Sequence, residues 1–183
     1  FTAVNRQNGS NMIKQLRLGK KRWLCSLVFL LPGLLMAQEK AGPQVHYPVS
    51  EHRFFTGPEQ YFTGTAEVEV LFPANDTAAY SGAYVTFAAG ARSAWHAHPA
   101  GQHILVVSGT ARTGTRDGKV LEFGSGEAVW CPPGIDHWHG ATPDAEMKHL
   151  VLTGVKDGEN VVWKEKVSDT DYRTPVTPVH HSY

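Results

Sequence analysis

Short segments in which polar and apolar residues alternate fill the chain between positions 56 and 173. The clearest covers residues 65–72, Thr-Ala-Glu-Val-Glu-Val-Leu-Phe, and has the period of two expected for a strand with one buried face. Turn-forming residues such as Gly, Pro, Asn and Asp separate it from similar runs. These runs lie at residues 83–87, 103–107, 120–123, 128–131, 148–153 and 161–164. Many short strands without a long helical periodicity predict an all-β antiparallel sandwich or barrel.

The segments on either side of this region lack such alternation. Residues 38–55 contain proline, glycine and histidine in no repeating pattern, which predicts an N-terminal arm or linker. Residues 174–183 contain two prolines and the pair His180-His181, which predicts a flexible C-terminal tail. The pattern therefore predicts one domain at residues 56–173.

The first 37 residues differ in composition from the rest of the chain. They carry six basic and no acidic residues, and an apolar run over positions 23–36 ends just before Ala37 and the polar residues after it. A membrane-spanning helix needs about 20 apolar residues, so this shorter run is typical of a secretory signal peptide, with a retained membrane anchor as the alternative. We expect cleavage near Ala37 and an exported bacterial protein, periplasmic or secreted, that has no membrane contact after processing.

Without residues 1–37 the chain is acidic. Residues 38–183 contain 11 Lys and Arg against 17 Asp and Glu, a formal charge of −6. Because nucleic acid binding requires clustered basic residues, this charge argues against a nucleic acid partner. The remaining cysteine, Cys131, is expected to be a small buried side chain rather than a nucleophile. The tryptophans expected to fill the interior are Trp95, Trp130, Trp138 and Trp163.

Histidines are concentrated in one part of the predicted domain. His96 and His98 are two positions apart, so on an extended strand both side chains leave the same face and can bind one ion. Gln102 follows a Pro-Ala-Gly turn, so its side chain can fold back over the same site. His137 follows a Pro-Pro-Gly connection that can bring a fourth ligand from another strand. The predicted metal ligands are His96, His98, Gln102 and His137.

These residues fit two spaced motifs. The pattern G-x5-HAH-x3-Q-x6-G at residues 90–109 resembles the first motif of the cupin family, with Gln102 where that motif usually has Glu. The pattern G-x5-PPG-x2-H at residues 126–137 resembles the second cupin motif, although Ala141 stands where its usual final Asn is expected. The resemblance implies a single cupin barrel, a double-stranded β-helix of the jelly-roll type, with one divalent metal ion on the four ligands.

Residues 56–173 also resemble the small bacterial cupins of the manganese-dependent hydroxynitrile lyase, or (R)-mandelonitrile lyase, type. That group uses Gln in place of the motif's Glu, in agreement with Gln102. The resemblance implies Mn²⁺ as the ion, with Fe²⁺, Zn²⁺ or Ni²⁺ as alternatives. Because cupins commonly pair through edge strands, we also expect a homodimer or homotetramer. The stretches that carry the resemblance are residues 61–65, 82–87, 90–96 and 137–141, His149 and Trp163.

The predicted ligand set favours Lewis-acid chemistry on a small-molecule substrate. Three imidazoles and one amide leave the charge of a divalent ion uncompensated, so a hydroxyl bound to the ion loses its proton more readily. His139 follows His137 by two positions, and His149 lies in an alternating run, so both are expected to face the same cavity. In the resembling family these positions flank the open metal positions, which implies that His139 or His149 assists as acid or base while a hydroxynitrile is cleaved or formed. The apolar wall expected to receive the aldehyde consists of Ala83, Val85 and Phe87.

Two other functions stay open at this point. The first is a cupin dioxygenase that activates oxygen at a redox metal, and the second is a non-catalytic cupin that binds a small ligand. Fold resemblance does not separate them, because cupins carry very diverse chemistry on one scaffold.

Overall fold

A computed structural model describes residues 42–178, and strands dominate that part of the chain. The predicted all-β class is therefore confirmed. The predicted signal peptide, its cleavage site near Ala37 and the pair His180-His181 lie outside the described residues. The described helices are a 3-10 helix at Val49–Glu51 and α1 at Asp169–Tyr172. Neither is long and apolar enough to cross a bilayer.

The strands of residues 42–178 form two antiparallel sheets. In chain order they are β1 (Arg53–Thr56), β2 (Phe62–Thr63), β3 (Ala66–Phe72), β4 (Tyr80–Phe87), β5 (Arg92–Ser93), β6 (His96–Ala97), β7 (Gln102–Ser108), β8 (Thr110–Thr115), β9 (Val120–Gly124), β10 (Ala128–Cys131), β11 (His137–Ala141), β12 (Met147–Gly154) and β13 (Val162–Trp163). The first sheet has the order β1-β3-β4-β12-β7-β10. The second has the order β13-β6-β11-β5-β2, and β8 joins it by pairing with β11 and β9.

The first sheet turns one face toward a buried core. In β12 the alternate residues Met147, His149, Val151 and Thr153 are buried, while the residues between them are only partly buried. This is the period of two that the sequence shows, and it places two polar side chains inside along with two apolar ones. Buried apolar residues packed in this core include Phe62, Phe87, Ile104, Val106 and Met147.

In the second sheet, every residue of β11 is buried. The strand pairs with β8 along one edge and with β5 and β6 along the other. A second apolar cluster forms around Trp138 and includes Trp95 and Tyr172. Because neighbouring residues of a strand point to opposite faces, His137 and His139 lie on the face opposite Trp138.

The C-terminal segment is anchored on the second sheet by two buried arginines. Arg92 donates to Asp169 Oδ1 at 2.6 Å, and Arg112 donates to the Tyr172 carbonyl at 3.1 Å. The Tyr172 hydroxyl in turn donates to the Ala141 carbonyl at 2.7 Å. These bonds tie the segment that contains α1 to the strand that carries two of the predicted site histidines.

The described parts of both flanking segments, residues 42–55 and 174–178, contact the domain. Strand β1 begins at Arg53, inside the predicted arm of residues 38–55. The described part of the predicted flexible tail is bound as well, since the Thr177 amide donates to the Val120 carbonyl at 2.7 Å. All four residues of β1 are exposed, and the described part of the tail is held by the Thr177 amide and by the Thr177 hydroxyl, which accepts from the Val120 amide at 3.2 Å. Neither feature produces an alternating side-chain pattern.

Two of the four tryptophans expected to fill the interior do so, Trp95 and Trp138. Trp130 is 47% exposed, because Cys131 pairs with Gln102 on the inner face and its neighbour therefore points outward. The prediction for Cys131 agrees with the structure: the side chain is buried, and this burial raises the pKa of its thiol to about 12.

Gly140 provides a test of how closely β11 and β5 approach each other. A β-carbon at this position would lie 2.7 Å from Arg92 Cα and 2.8 Å from Arg92 Cβ, and closer still to the Ala91 carbonyl oxygen. We expect Gly140→Ala to lower the free energy of unfolding by about 3 kcal/mol, since overpacking against backbone is poorly relieved. Urea denaturation measures this change. The matched control is Gly124→Ala in β9, where the nearest atom to the added carbon is Glu127 Oε2 at 3.6 Å; equal losses in both variants would contradict the prediction.

Candidate metal centre

The structure brings three of the predicted ligands together between the two sheets. His137 pairs directly with His96 where β11 runs beside β6, and His98 follows two residues after His96. The His96 and His137 ring centroids lie 4.3 Å apart. The His98 ring lies 5.0 Å from the His96 ring and 5.4 Å from the His137 ring. Side chains from separate stretches of the chain therefore meet at one centre.

Backbone carbonyls orient all three imidazoles in the same way. The Nδ1 atom of His96 lies 3.0 Å from the Ala94 carbonyl oxygen, and that of His137 lies 3.1 Å from the Ile135 carbonyl oxygen. His98 Nδ1 is hydrogen-bonded to the Asn160 carbonyl. An Nδ1–H that donates to a carbonyl leaves Nε2 as the free acceptor, which is the usual arrangement of a metal-binding histidine.

Gln102, the fourth predicted ligand, lines the same cavity as His96 and His98. Its Nε2 donates to Thr153 Oγ1 at 2.9 Å, across the pairing of β7 with β12. This bond leaves Oε1 as the acceptor of the amide, and Oε1 is buried without a hydrogen-bond partner among residues 42–178. In this orientation the Thr153 hydroxyl accepts the Nε2 bond and leaves Oε1 on the side that faces away from it.

The orphaned atoms of this centre fit a metal ion. His98 Nε2, His137 Nε2 and Gln102 Oε1 are all buried and have no hydrogen-bond partner among the described residues. Leaving such a group unpaired costs about 1–3 kcal/mol. Imidazole nitrogens and an amide oxygen are ligands that divalent transition metals accept. The chemistry of this donor set therefore fits a divalent ion.

His139 belongs to the same cluster, although the sequence analysis did not include it among the predicted metal ligands. Ring nitrogens of His96, His137 and His139 lie within 4.8 Å of one another, and this buried group could hold a metal ion. The two possible sets share His96 and His137. An ion held by this second set alone would leave the buried acceptors of His98 and Gln102 unpaired, so we favour the predicted four.

His149 lies behind His139 and is completely buried. Its Nε2 is 3.0 Å from His139 Nδ1, so one of these nitrogens donates to the other. The Phe87 ring packs against both imidazoles, with centroid distances of 5.8 Å to His139 and 5.6 Å to His149. The two predicted catalytic histidines therefore form a hydrogen-bonded pair, in which His139 is the member that lines the cavity.

Burial keeps these imidazoles neutral. It lowers the pKa of His137 and of His149 to about 4, and it also lowers the pKa of His98. The pKa values of His96 and His139 fall well below the usual value, because burial is reinforced by the repulsion of neighbouring histidines. Neutral imidazole is the form that binds metals, so the centre is ready to bind an ion at neutral pH.

A cavity of about 550 Å³ opens beside the histidines. Ala83 and Val85 line it, as predicted, but Phe87 does not. Phe87 is fully buried and packs behind the wall against the histidine pair, so the prediction for this residue was wrong. The alternation rule placed it on the correct face but could not show that other side chains lie between it and the cavity.

Several wall residues escaped the sequence analysis. The rings of Tyr61 and Trp163 stack at 4.6 Å and line the cavity together with Phe55. Trp163 reaches the wall because β13 pairs with β6, which places it opposite His96. The sequence analysis assigned Trp163 to the interior and gave the Tyr61 and Phe55 side chains no role in the cavity wall, because no local pattern indicates which aromatic residue a distant strand brings to the site.

Comparison with known proteins agrees with this geometry. A family model described as "Cupin domain" matches residues 83–153. An (R)-mandelonitrile lyase from Granulicella tundricola is 46% identical over 117 residues, which cover 64% of this chain and 89% of that protein. A cupin-like protein from Thermotoga maritima has a TM-score of 0.62 at 30% identity, over 66% of this chain and 92% of that chain. A cupin-2 domain protein from Rhodospirillum rubrum, with a TM-score of 0.53 at 16% identity over 72% of this chain and 86% of that chain, shares the fold. The predicted cupin fold is confirmed.

The hydrogen bond from Gln102 to Thr153 can be tested through metal affinity. We expect Thr153→Val to weaken metal binding about tenfold, because the amide loses the partner that directs Oε1 toward the ion. Thr153→Ser keeps the hydroxyl and should bind the metal almost as the parent does. Titration against a chelating indicator measures both affinities. Equal affinity in Thr153→Val and the parent would show that the hydroxyl has no such role.

The buried histidines predict how the stability of the metal-free protein depends on pH. Their pKa values lie below the unfolded value of 6.5, so the unfolded chain takes up protons first as the pH falls. The free energy of unfolding should therefore decrease as the pH falls from about 6.5 toward 4, with each such proton contributing about 1.4 kcal/mol per pH unit. Urea denaturation in a chelator between about pH 7 and 5 measures the slope. His149→Gln should make it shallower, and a flat profile in the parent would contradict the prediction.

Proposed function

The chain belongs to the cupin family, and from that premise we propose that it is a metal-dependent lyase that cleaves or forms hydroxynitriles. The observation that carries the proposal is the buried histidine cluster beside a mostly apolar cavity, in a chain 46% identical to an (R)-mandelonitrile lyase. A lyase of this class converts a hydroxynitrile into an aldehyde or ketone and hydrogen cyanide, and it also catalyses the reverse reaction.

We propose that His96, His98, Gln102 and His137 hold one divalent ion, with Mn²⁺ as the first candidate. Bound there, the ion supplies Lewis-acid activation of the substrate hydroxyl. None of the four ligands is a carboxylate, so the protein contributes no negative charge that would weaken this activation. The Thr153 hydroxyl and the three backbone carbonyls keep the ligands in one orientation before substrate arrives.

The histidine pair, His139 and His149, transfers the proton of the substrate hydroxyl. His139 lines the cavity, and its Nδ1 is hydrogen-bonded to His149 Nε2. We propose that His139 takes the hydroxyl proton while the carbon–carbon bond to the nitrile breaks, and then returns it to the departing cyanide. His149 holds the imidazole of His139 in position through this hydrogen bond. Burial lowers the pKa of both residues, so both are neutral at neutral pH and one ring nitrogen of His139 carries no proton.

The cavity wall suits the organic part of the substrate. Ala83, Val85 and Val151 provide a smooth aliphatic surface, and Tyr61 and Trp163 provide an aromatic one. At about 550 Å³ the cavity falls within the range of roughly 300–1,000 Å³ that is usual for small-molecule sites. An aromatic aldehyde and its hydroxynitrile match this shape and polarity.

The roles of metal ligand and base can be separated by mutation. Loaded with Mn²⁺, the protein should release benzaldehyde and cyanide from mandelonitrile. We expect His98→Ala to lose metal and activity together, whereas His139→Ala keeps its metal and loses about 100-fold in turnover. Metal analysis and an absorbance assay for benzaldehyde measure the two quantities. The control is His103→Ala, an exposed residue outside the site.

Three results would count against this proposal. Release of benzaldehyde no faster than by the His137→Ala variant would exclude the lyase. Oxygen consumption with iron, without turnover of mandelonitrile, would favour a dioxygenase. Tight binding of small ligands without turnover under any metal would favour a binding protein.

A further inference from the structure

Arg53 stands at the mouth of the cavity, on the edge strand β1. Arg53 and Phe55 line the cavity, whereas Phe54 between them lies on the outer surface of the sheet. The register confirms this placement, since Arg53 pairs with Val70 and Phe55 pairs with Val68, and both valines line the cavity. Because Arg53 is itself exposed, its guanidinium lies where the cavity meets solvent.

This guanidinium has no anionic partner among residues 42–178. None of the ion pairs in the described part of the chain involves Arg53. Its contact within the protein is with the Phe55 ring, whose centroid lies 5.7 Å from Cζ. No Asp or Glu occurs among the described residues that line the cavity, so Arg53 is the one permanently charged side chain in that lining.

An apolar surface separates Arg53 from the histidines. Its neighbours across the sheet are Val70 in β3, Ala83 in β4 and Val151 in β12, and all three line the cavity. Strands β1 and β12 are three steps apart, or about 14 Å along the sheet at roughly 4.8 Å per step. The long side chain of Arg53 covers part of this span. Strand β12 also carries His149, which is hydrogen-bonded to His139, so a ligand that reaches from this pair to the guanidinium needs an apolar body several atoms long.

A carboxylate is the group that this arrangement best recognises. The planar guanidinium donates two parallel hydrogen bonds to a carboxylate, and a cation at an apolar opening without competing acids attracts anions. We propose that the preferred substrates are hydroxynitriles, and the matching aldehydes, that carry a carboxylate at the end remote from the reacting carbon. This inference rests on the proposed function, and it assigns Arg53 to binding the acidic group.

The test compares two substrates that differ in charge and share their shape. These are the hydroxynitriles of 4-carboxybenzaldehyde and of 4-carbamoylbenzaldehyde, each assayed with the Mn²⁺-loaded protein. We expect the carboxylate to have a KM about fivefold lower than the amide, as for a partly exposed ion pair. Salt should reduce this preference, because it screens exposed charges. In Arg53→Gln the ratio of the two KM values should fall to about one, and Arg53→Lys should keep part of the preference.

The matched control is Arg173→Gln, which removes an equal charge from an exposed position outside the cavity lining. It should leave the ratio unchanged. The same ratio in the parent and in Arg53→Gln would overturn the inference and show that the guanidinium only packs on Phe55. A decrease in Arg173→Gln equal to that in Arg53→Gln would also overturn it, since net charge alone would then explain the preference.

A binding measurement separates this inference from the proposed function. Calorimetric titration with the two aldehydes needs no turnover, so it reports on Arg53 even in a protein that cleaves no hydroxynitrile. Tighter binding of 4-carboxybenzaldehyde that depends on Arg53, without any lyase activity, would support recognition of the acidic group and exclude the lyase. Equal binding of both aldehydes together with lyase activity would support the lyase and exclude recognition of the acidic group by Arg53.

Discussion

The pairing of β11 with β6 is the constraint on which the site depends. It places His137 beside His96, and backbone carbonyls then direct both imidazoles toward one point. Concentrating so many polar groups in a core is costly, because each buried acceptor without a partner destabilises the fold. The centre is therefore an arrangement that a bound ion would stabilise, while the surrounding strands keep its donors in position without one.

The C-terminal segment contributes more to this centre than its distance in sequence indicates. The Asn160 carbonyl orients His98, and the pairing of β13 with β6 brings Trp163 to the cavity. Farther along, Arg92 and Arg112 hold α1 and its surroundings against the second sheet. The ligands lie in the middle of the chain, but the geometry of one of them depends on a segment more than 60 residues away in sequence.

The histidines of the site are neutral, and the cavity that they line contains few charged groups. The histidines around the centre have lowered pKa values because they are buried. No carboxylate lines the cavity in the described part of the chain, and the permanent charge of its lining is the guanidinium of Arg53 at the mouth. In the described part of the chain, the cavity lining therefore holds no negative charge that would repel an anionic ligand, and its permanent positive charge lies at the mouth.

The sequence by itself determined the fold class, the candidate ligands and which residues of β4 and β12 face inward. Alternation with a period of two is a local property, so it placed Ala83, Val85 and His149 on the inner face, and the two spaced motifs identified four donors together. Contacts between distant segments were decided only by the tertiary structure. In that structure Phe87 packs behind the cavity wall, and His139 is hydrogen-bonded to His149. Thr153 is hydrogen-bonded to Gln102, and Trp163 and Arg53 line the cavity. The physical reason is that strand order and register decide which side chains meet, and no stretch of residues encodes the register of a partner strand many positions away.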